Sequence, residues 1–368
     1  MKSILFFIGT EAELIKVFPV IQECRKRNID CHIVASGQND IKDSVIIKKT
    51  DCGEVELELS NEKDIKKTAL GLLQWWIKTY RISRQKIIGT FPDMDYANSY
   101  MIVHGDTVST YMGARIGKKL GMTVCHVEAG LRSHNIFSPF PEEIDRLLTS
   151  RIARVHFAPG EYAYNNLRKA NGRKINTYQN TLLDSLTYSK KIPIENEIIK
   201  EISGEEYCVF VMHRQENLAN KPFVIDVVNE VKNLAKKTKC VILMHKITEN
   251  AFVKIGVLDE LKTLTNVILL PRVGYFDFMK LLNNSLFVIT DGGSNQEELY
   301  YMRKPCLILR KVTERKEGLG ANARLFNGEA SDIEVFISQL GDSDKMCEVI
   351  EDASPSILIA DFMERLIE

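Results

Sequence analysis

Short, almost continuously apolar segments alternate with longer amphipathic segments along this chain, in two separate series. The first series predicts strands at 3–8, 31–36, 100–104, 122–127 and 154–158, and the second predicts strands at 207–212, 240–245, 266–271, 286–290 and 305–309. Helical periodicity fills the gaps, for example at 13–27, 107–119, 142–150, 222–236 and 293–302. Strands without a polar face are typical of parallel sheets covered by helices on both sides. We therefore expect an α/β protein with two doubly wound, Rossmann-like domains facing a central cleft.

A weakly apolar stretch around 185–204 separates the two series. The chain has 368 residues, which is enough for two domains of ordinary size. We predict an N-terminal domain at 1–185 and a C-terminal domain at 186–355. The last periodic segment, 356–368, has no further sheet to join, and we expect it to pack on the N-terminal domain as a terminal helix.

The charge balance and the apolar runs limit the class of protein. Lysine plus arginine equals aspartate plus glutamate, at 49 each, so nothing indicates a nucleic-acid or membrane partner. No apolar run approaches the ~20 residues that span a bilayer, and the N-terminal apolar segment is too short for a secretion signal. The eight cysteines form no C-x-x-C pair, which argues against a zinc site or a disulfide framework. We expect a cytoplasmic protein without a metal.

Three carboxylates, Asp106, Glu128 and Glu142, recur near the ends of successive predicted elements in the N-terminal domain. In an open α/β sheet this is where ligands bind, so we expect the three side chains in one crevice. Crowded like charges push pKa values apart, which suits proton transfer. Each one taken alone is better explained as a helix cap or a surface charge. The set, with glycine and proline around each member, favours a catalytic role.

Basic side chains follow predicted strands in both series. His213 and Arg214 come after the first strand of the second series, and His245 comes after the next. An imidazole and a guanidinium at a strand end suit a diphosphate, although a histidine there is often only structural. In the first series, Lys16 lies one turn into the first helix and could reach a phosphate, with a solvated surface lysine as the alternative. The chain has neither G-x-G-x-x-G nor a P-loop.

The most specific loop of the second series contains Gly292, Gly293 and Ser294 and leads into a helix that carries Glu298. Glycine lets the backbone approach a ligand, and a helix N-terminus favours phosphate. Glu298 could accept ribose hydroxyls, and Arg315 adds a cation at the same sheet edge. We expect a nucleotide site here. The alternatives are an ordinary glycine-rich turn and, for Arg315, a surface salt bridge.

These residues stand in motifs that resemble the bacterial UDP-N-acetylglucosamine 2-epimerases, a family related to the GT-B glycosyltransferase fold. The resemblance extends over nearly the whole chain, with its motifs in the same order. The motifs are H-G-D-T at 104–107, H-V-E-A-G-L-R at 126–132, S-P-x-P-E-E at 138–143, N-T at 180–181 with Asp184, H-R-x-E-N at 213–217, Q-E-E at 296–298, K-P at 304–305 and T-E-R at 313–315.

The resemblance implies that UDP binds mainly to the second domain, and it implies roles for individual residues. Lys16 matches a lysine of the first domain, and Arg146 matches an arginine beside the catalytic carboxylates. The positions that match nucleotide-contacting residues are His213, Glu298 and Arg315, and those that match the proton-transferring carboxylates are Asp106, Glu128 and Glu142. We expect a UDP-sugar substrate, no cofactor and a homodimer.

The chain departs from the family pattern in four places. The family's G-T-R-P-E is G-T-E-A-E at 9–13, so an arginine expected near the diphosphate is Glu11. The family's D-S-G-G is D-G-G-S at 291–294, which moves the hydroxyl by two places. The family's Q-H is Gln38-Asn39, and its N-P after His245 is absent. In non-hydrolysing members those last regions help to form a second, activating substrate site, so the resemblance leaves open both that regulation and the exact sugar.

The activity that the resemblance implies is epimerisation at C2 of a UDP-N-acetylhexosamine, through elimination of UDP and a 2-acetamidoglucal, for surface polysaccharide precursors. One alternative is a hydrolysing 2-epimerase that releases UDP and a free sugar. Another is a GT-B glycosyltransferase, although a transferase needs only one base and the chain offers three carboxylates. A third is a non-catalytic sugar-nucleotide binding protein. Glu11 and Gly292, which depart from the family pattern, are the residues that favour this alternative.

Overall fold

The structure is a computed structural model that describes residues 1–65, 68–135, 140–313, 315–329, 331–340 and 354–367, apart from the side chains of Asp64 and Ala69. The chain divides into two compact units between Ser185 and Leu186. Unit 1 comprises Met1–Ser185 with Ile350–Glu368, and unit 2 comprises Leu186–Val349. In the described part of the chain, no helix combines the length and the hydropathy that crossing a membrane requires.

Unit 1 alternates strands and helices. Its strands are β1 (Ile4–Ile8), β2 (Cys31–Ala35), β3 (Val55–Glu58), β4 (Tyr100–His104), β5 (Thr123–Val127), β6 (Val155–Ala158) and β7 (Arg173–Asn176). Its helices are α1 (Glu11–Lys26), α2 (Val45–Lys49), α3 (Ala69–Thr90), α4 (Val108–Leu120), α5 (Glu142–Ile152), α6 (Glu161–Asn166) and the C-terminal α16 (Pro355–Ile367), with 3₁₀ turns at Glu62–Asp64 and Tyr96–Asn98. The helix α7 (Leu182–Ser189) carries the chain into unit 2.

Unit 2 repeats the alternation. Its strands are β8 (Tyr207–Val211), β9 (Lys239–Met244), β10 (Val267–Pro271), β11 (Val288–Thr290), β12 (Cys306–Ile308) and β13 (Ala323–Leu325). Its helices are α8 (Glu197–Ile202), α9 (Gln215–Ala219), α10 (Lys221–Ala235), α11 (Lys246–Ile255), α12 (Leu258–Lys262), α13 (Tyr275–Asn284), α14 (Gly293–Tyr301) and α15 (Ser331–Ser338).

Both sheets are parallel and doubly wound over the described residues. The strand order is β3-β2-β1-β4-β5-β6-β7 in unit 1 and β10-β9-β8-β11-β12-β13 in unit 2. The order reverses between β1 and β4 and between β8 and β11, and ligands of such sheets bind at the carboxyl ends of these strands. The central strands β1 and β8 are buried at every residue. The predicted α/β class with two Rossmann-like sheets is confirmed.

Three strands have no counterpart among the apolar runs of the sequence, namely β3, β7 and β13. Each lies at an edge of its sheet, and each contains half-buried or exposed residues. An edge strand has neighbours on one side only, so its sequence does not need the continuous apolar run that a central strand of a parallel sheet shows. The search for such runs therefore finds the middle of each sheet and the edge strand β10, and it misses the other three edges.

The C-terminal helix α16 belongs to unit 1 and packs against α1. Arg27, the C-cap of α1, forms an ion pair with Asp361 at 2.7 Å. The carboxylate of Asp184 accepts a hydrogen bond from the backbone N–H of Ser356 at 2.8 Å. Asp184, which follows the N-T motif, thus anchors the start of the last helix.

Candidate active site

Asp106 lies in the loop between β4 and α4, at the switch point of the first sheet. The preceding Gly105 has a φ of 70°, a left-handed conformation that glycine adopts without strain. Thr107 then caps α4 by accepting hydrogen bonds from the next turn. The Oδ2 atom of Asp106 accepts a hydrogen bond from Nη2 of Arg146, which lies on α5. The predicted carboxylate and the predicted arginine are therefore direct partners.

Glu128 follows β5 and is held by side chains from three other segments. Its Oε2 accepts a hydrogen bond from Lys16 Nζ at 2.5 Å and another from Asn180 Nδ2. His104 Nε2 lies 3.5 Å from the same oxygen. The side chain is 7% exposed, and its φ of 62° is uncommon for a residue with a Cβ atom. A buried carboxylate needs such partners, and Lys16, which could also reach a phosphate, contacts Glu128 in this structure.

The N-terminal turn of α5 adds two further carboxylates. Glu142 begins the helix, and Asp145 lies one turn later on the same face. Asp145 is 6% exposed, and its Oδ2 and the Oε2 of Glu142 have no hydrogen-bond partner among the described residues. Burial, followed by the charges of Asp106 and Glu142, raises the pKa of the Asp145 carboxyl to about 7. The Asp145 carboxyl therefore titrates near neutral pH, close to two of the three carboxylates that the sequence indicates.

Glu143, the second glutamate of the P-E-E motif, has a structural role. It is fully buried and accepts hydrogen bonds from Arg132 Nε at 2.5 Å and from the backbone N–H of Ser133 at 3.0 Å. Burial opposes its ionisation, but the Ser133 amide and the Arg132 guanidinium outweigh burial, so its pKa is lowered. Arg146 Nη1 lies 3.5 Å away. Glu143 thus connects the loop after β5 to the arginine that contacts Asp106.

The two glutamates at the start of α1 differ in their contacts. Glu13 is 3% exposed, and its carboxylate accepts hydrogen bonds from the Gly9 N–H at 2.6 Å and from Thr107 Oγ1 at 2.5 Å. It therefore ties the loop after β1 to the loop after β4, and burial raises its pKa. Glu11 accepts a hydrogen bond from Oγ of Ser44, the N-cap of α2, at 3.1 Å. The charge-reversed position is thus engaged with α2 in this structure.

In unit 2, a fully buried aspartate organises the switch point. The carboxylate of Asp291 accepts hydrogen bonds from the backbone N–H groups of His213 at 3.0 Å and Arg214 at 2.9 Å. It accepts a third from Asn217 Nδ2 at 3.1 Å. Arg214 Nε also donates to the Asp291 carbonyl at 2.9 Å. Asp291 thus joins the loop after β8 to the loop after β11, and Arg214 stabilises this contact between the two loops.

Two histidines come together at the ends of the adjacent strands β8 and β9. The rings of His213 and His245 are 5.0 Å apart. His213 Nδ1 lies 3.2 Å from Asp291 Oδ1, an ion-pair distance without hydrogen-bond alignment. Burial lowers the pKa of His245, and the charges of His213 and Arg272 lower it further. His245 therefore favours the neutral imidazole form beside His213.

The N-terminus of α14 is the candidate anion site of unit 2. Gly292 is the N-cap, and Gly293 and Ser294 begin the first turn, with the Ser294 side chain exposed. N–H groups at this position have no partner within the helix and favour anions. The Gly292 N–H donates to Thr290 Oγ1 at 3.0 Å, so it forms a hydrogen bond within the loop. The N–H groups of this helix end that could bind an anion therefore begin at Gly293.

The Q-E-E motif on α14 separates into three roles. Gln296 donates hydrogen bonds to the carbonyls of Arg315 at 3.2 Å and Glu317 at 2.8 Å. Glu297 is buried and pairs with Arg315 Nη1 at 2.5 Å. Glu298 accepts a hydrogen bond from Asn295 Nδ2 at 2.9 Å. The first two residues therefore hold the loop that carries Arg315, and the third is the one that the sequence assigns to the ribose.

Sequence reasoning missed several residues of these clusters. Asp291 directly follows the predicted strand 286–290 and begins the D-G-G-S loop, and Asp145 stands three residues after Glu142 on a predicted helix. Both spacings are visible in the sequence, whereas the contacts of Asn180 and Glu297 join segments that no local pattern connects. Three motif positions lie outside the described residues, namely Ser138, Pro139 and Glu314.

Comparison with known proteins identifies the family that these motifs resemble. Residues 22–356 match the sequence profile of the family described as UDP-N-acetylglucosamine 2-epimerase. A protein of that name from Methanocaldococcus jannaschii is 31% identical over 334 residues, which cover 88% of this chain and 87% of the relative. The protein of the same name from Neisseria meningitidis is 30% identical over 354 residues, covering 92% and 91%.

Solved structures agree with the sequence matches. The UDP-GlcNAc 2-epimerase of Methanocaldococcus jannaschii superposes with a TM-score of 0.80 at 25% identity, covering 99% of this chain and 100% of the other. The enzyme of Neisseria meningitidis, solved with UDP-GlcNAc bound, gives a TM-score of 0.76 at 26% identity, covering 99% and 100%. These likenesses confirm the predicted GT-B-like fold class.

Proposed function

Because the chain belongs to the UDP-N-acetylglucosamine 2-epimerase family, we propose that it interconverts UDP-N-acetylglucosamine and UDP-N-acetylmannosamine by inversion at C2. The main support from this chain is the set of carboxylates in unit 1, in which Asp145 titrates near neutral pH beside Asp106 and Glu142. Related structures were solved with UDP-GlcNAc bound, which supports a UDP-sugar as the substrate.

The chemistry of the substrate explains why several proton-carrying groups are useful. The C2 hydrogen is not adjacent to a carbonyl, so direct removal is slow. When the C1–O bond breaks, its electron pair leaves with the β-phosphate of UDP, C1 becomes electron-poor and a carboxylate takes the C2 proton. This leaves a C1=C2 double bond in 2-acetamidoglucal. Protonation of C2 from the opposite face and return of UDP to C1 give the epimer with no net oxidation.

Unit 2 is suited to the leaving UDP. We assign the diphosphate to the N-terminus of α14 with His213 and Arg315, because N–H dipoles and cations stabilise the charge that develops on departure. His245 lies beside His213, and Arg214 fixes the loop that carries it. Glu298 is assigned to the ribose, since a carboxylate accepts hydrogen bonds from hydroxyls.

Unit 1 is suited to the proton transfers. We assign the base and acid roles at C2 to the three carboxylates that follow β4 and β5 and begin α5: Asp106, Glu128 and Glu142. Arg146 and Lys16 fix two of them through direct contacts. A group near its own pKa at working pH is the most effective proton carrier, and Asp145 supplies such a group within the cluster.

The experiment that tests the proposal is turnover of UDP-N-acetylglucosamine in heavy water, followed by NMR. Epimerisation through deprotonation must place deuterium at C2 of UDP-N-acetylmannosamine, whereas glycosyl transfer and simple hydrolysis leave the C2 hydrogen in place. Product that keeps its original C2 hydrogen contradicts the mechanism. Release of UDP and free N-acetylmannosamine instead identifies a hydrolysing 2-epimerase, and binding without turnover identifies a sugar-nucleotide binding protein.

We also propose that the protein is a homodimer that pairs through α3. Leu70, Leu73 and Ile77 are 65%, 54% and 39% exposed, and their spacing of three and four residues puts them on one side of the helix. Exposed apolar stripes of this kind mark interaction surfaces. Sedimentation should give a dimer, and Leu73→Glu should shift it toward the monomer. A wild-type monomer at micromolar concentration contradicts this proposal.

A further inference from the structure

Asn295 is a buried amide in the first turn of α14 with a partner at each end. It is 8% exposed. Its Oδ1 accepts a hydrogen bond from Thr290 Oγ1 at 3.0 Å, and its Nδ2 donates to Glu298 Oε2 at 2.9 Å. Thr290 is fully buried, and its Oγ1 also accepts from the Gly292 N–H at 3.0 Å. The loop and the helix are thus joined by a chain of hydrogen bonds that ends on the Glu298 carboxylate.

The direction of this chain is determined by its two ends. The Gly292 N–H can only donate, so Thr290 Oγ1 accepts it and turns its own hydrogen toward Asn295. The Glu298 carboxylate accepts when ionised, so it requires the NH₂ end of the amide. A flipped Asn295 would place its carbonyl oxygen against that carboxylate. Hydrogen bonds in series within a buried site strengthen one another, so Asn295 restricts where Glu298 lies.

Gly292 makes room for this amide. A Cβ atom at position 292 would lie 2.5 Å from Asn295 Oδ1 and 3.1 Å from His213 Cε1. The φ of Gly292 is −83°, which any residue can adopt, so the need for glycine here is a matter of space and not of backbone conformation. Any side chain at 292 must displace the Asn295 amide.

We propose that Asn295 is a positioning residue that holds Glu298 for a ribose hydroxyl of the nucleotide, and that residue 292 is glycine because the Asn295 amide fills the space of a side chain there. This inference rests on the proposed function, in which Glu298 contacts the ribose of UDP. Asn295 acts through Glu298, so its loss should affect nucleotide binding and not the proton transfers.

The first test compares UDP with 2′,3′-dideoxy-UDP by calorimetry. Asn295→Ala removes the donor to Glu298, and we expect UDP to bind about fivefold to tenfold more weakly, the scale of one typical net hydrogen bond. Binding of the dideoxy analogue, which has no ribose hydroxyl to lose, should change by less than about twofold on the same scale. In turnover, KM should rise while kcat stays near the wild-type value.

Asn229→Ala is the matched control, since Asn229 is an exposed asparagine of α10, and it should bind both nucleotides as the wild type does. Asn295→Asp keeps the size and the Thr290 contact but sets a second carboxylate against Glu298. It should reduce UDP binding at least as much as Asn295→Ala. This isosteric variant keeps the test decisive if the alanine variant fails to fold.

A double-mutant cycle tests the role of Gly292. Gly292→Ala should weaken UDP binding in the wild-type background, because its Cβ displaces the Asn295 amide. In the Asn295→Ala background the closest obstacle is gone and only the His213 contact at 3.1 Å remains, so the same change should cost clearly less. Equal effects in both backgrounds contradict the coupling.

The outcomes separate this inference from the proposed function. If the wild type binds UDP more tightly than the dideoxy analogue and Asn295→Ala weakens both equally, the inference is wrong and the function stands. If the wild type turns over UDP-N-acetylglucosamine without discriminating between UDP and the analogue, the ribose role of Glu298 is wrong, and the inference with it. If the wild type binds no UDP, the proposed function itself fails.

Discussion

The pKa of Asp145 leads to a specific prediction about the stability of unit 1. The carboxyl has an ordinary value of 3.8, and burial with the charges of Asp106 and Glu142 raises it to about 7 in the folded protein. Asp145→Asn replaces this titrating group with a neutral amide of the same shape. The difference in the free energy of unfolding between variant and wild type should therefore depend on pH.

The sign follows from proton binding. Between about pH 4 and pH 7 the unfolded chain has lost the Asp145 proton and the native protein keeps it, so wild-type stability falls as pH rises. The slope is about 1.4 kcal/mol per pH unit, so this contribution falls by about 3 kcal/mol from pH 5 to pH 8. The asparagine variant has no titrating group at this position and therefore lacks this pH-dependent contribution to stability. Relative to the wild type, the variant should gain about 3 kcal/mol over that interval, with no further gain above pH 8.

Tryptophan fluorescence during urea unfolding is the appropriate measurement. Both tryptophans of the chain, Trp75 and Trp76, lie on α3 in unit 1, so the signal reports the unit that contains Asp145. The control is Asp93→Asn, which changes an exposed aspartate of the same unit. Its difference from the wild type should be the same at pH 5 and pH 8. A stability difference for Asp145→Asn that does not change between these pH values would refute the proposed proton on Asp145.

Three further predictions concern the two sites. The first replaces each proposed proton-transfer carboxylate by its amide, in the variants Asp106→Asn, Glu128→Gln and Glu142→Gln. Each variant should reduce turnover by about 10²-fold or more with UDP affinity little changed. Near-normal turnover in all three variants rules out their role. Glu11→Arg should leave UDP affinity, measured by calorimetry, unchanged or increased, because Glu11 is engaged with Ser44; a marked loss would make Glu11 a substrate contact. Asp291→Ala leaves two backbone N–H groups of the loop after β8 without their buried acceptor. It should lower the free energy of unfolding by about 2–4 kcal/mol, measured by circular dichroism. A variant with wild-type stability and UDP affinity contradicts the organising role of Asp291.

The overall architecture was predictable from local sequence patterns. Central strands of a parallel sheet are covered on both faces, so β1, β4, β8 and β11 lie within continuous apolar runs, and the residues that follow them lie where such sheets bind ligands. This is why Asp106 and His213 could be selected without coordinates. The edge strands β3, β7 and β13 were not predicted, because a strand with one neighbouring strand does not need a continuous apolar run.

The partners of each site residue were decided by tertiary structure alone. Lys16 and Glu128 are 112 residues apart in the chain and in direct contact in the fold, and no local pattern indicates that pairing. Two glutamates in the same helical turn, Glu11 and Glu13, meet different segments, and no periodicity distinguishes them. The raised pKa of Asp145 likewise depends on burial and on charges brought in from another loop. Hydrophobic periodicity records which face of an element is buried, whereas the contacts of a polar side chain depend on how distant loops pack. The sequence therefore determined the sheets and the location of their ligand-binding ends, and the packing determined which charge meets which.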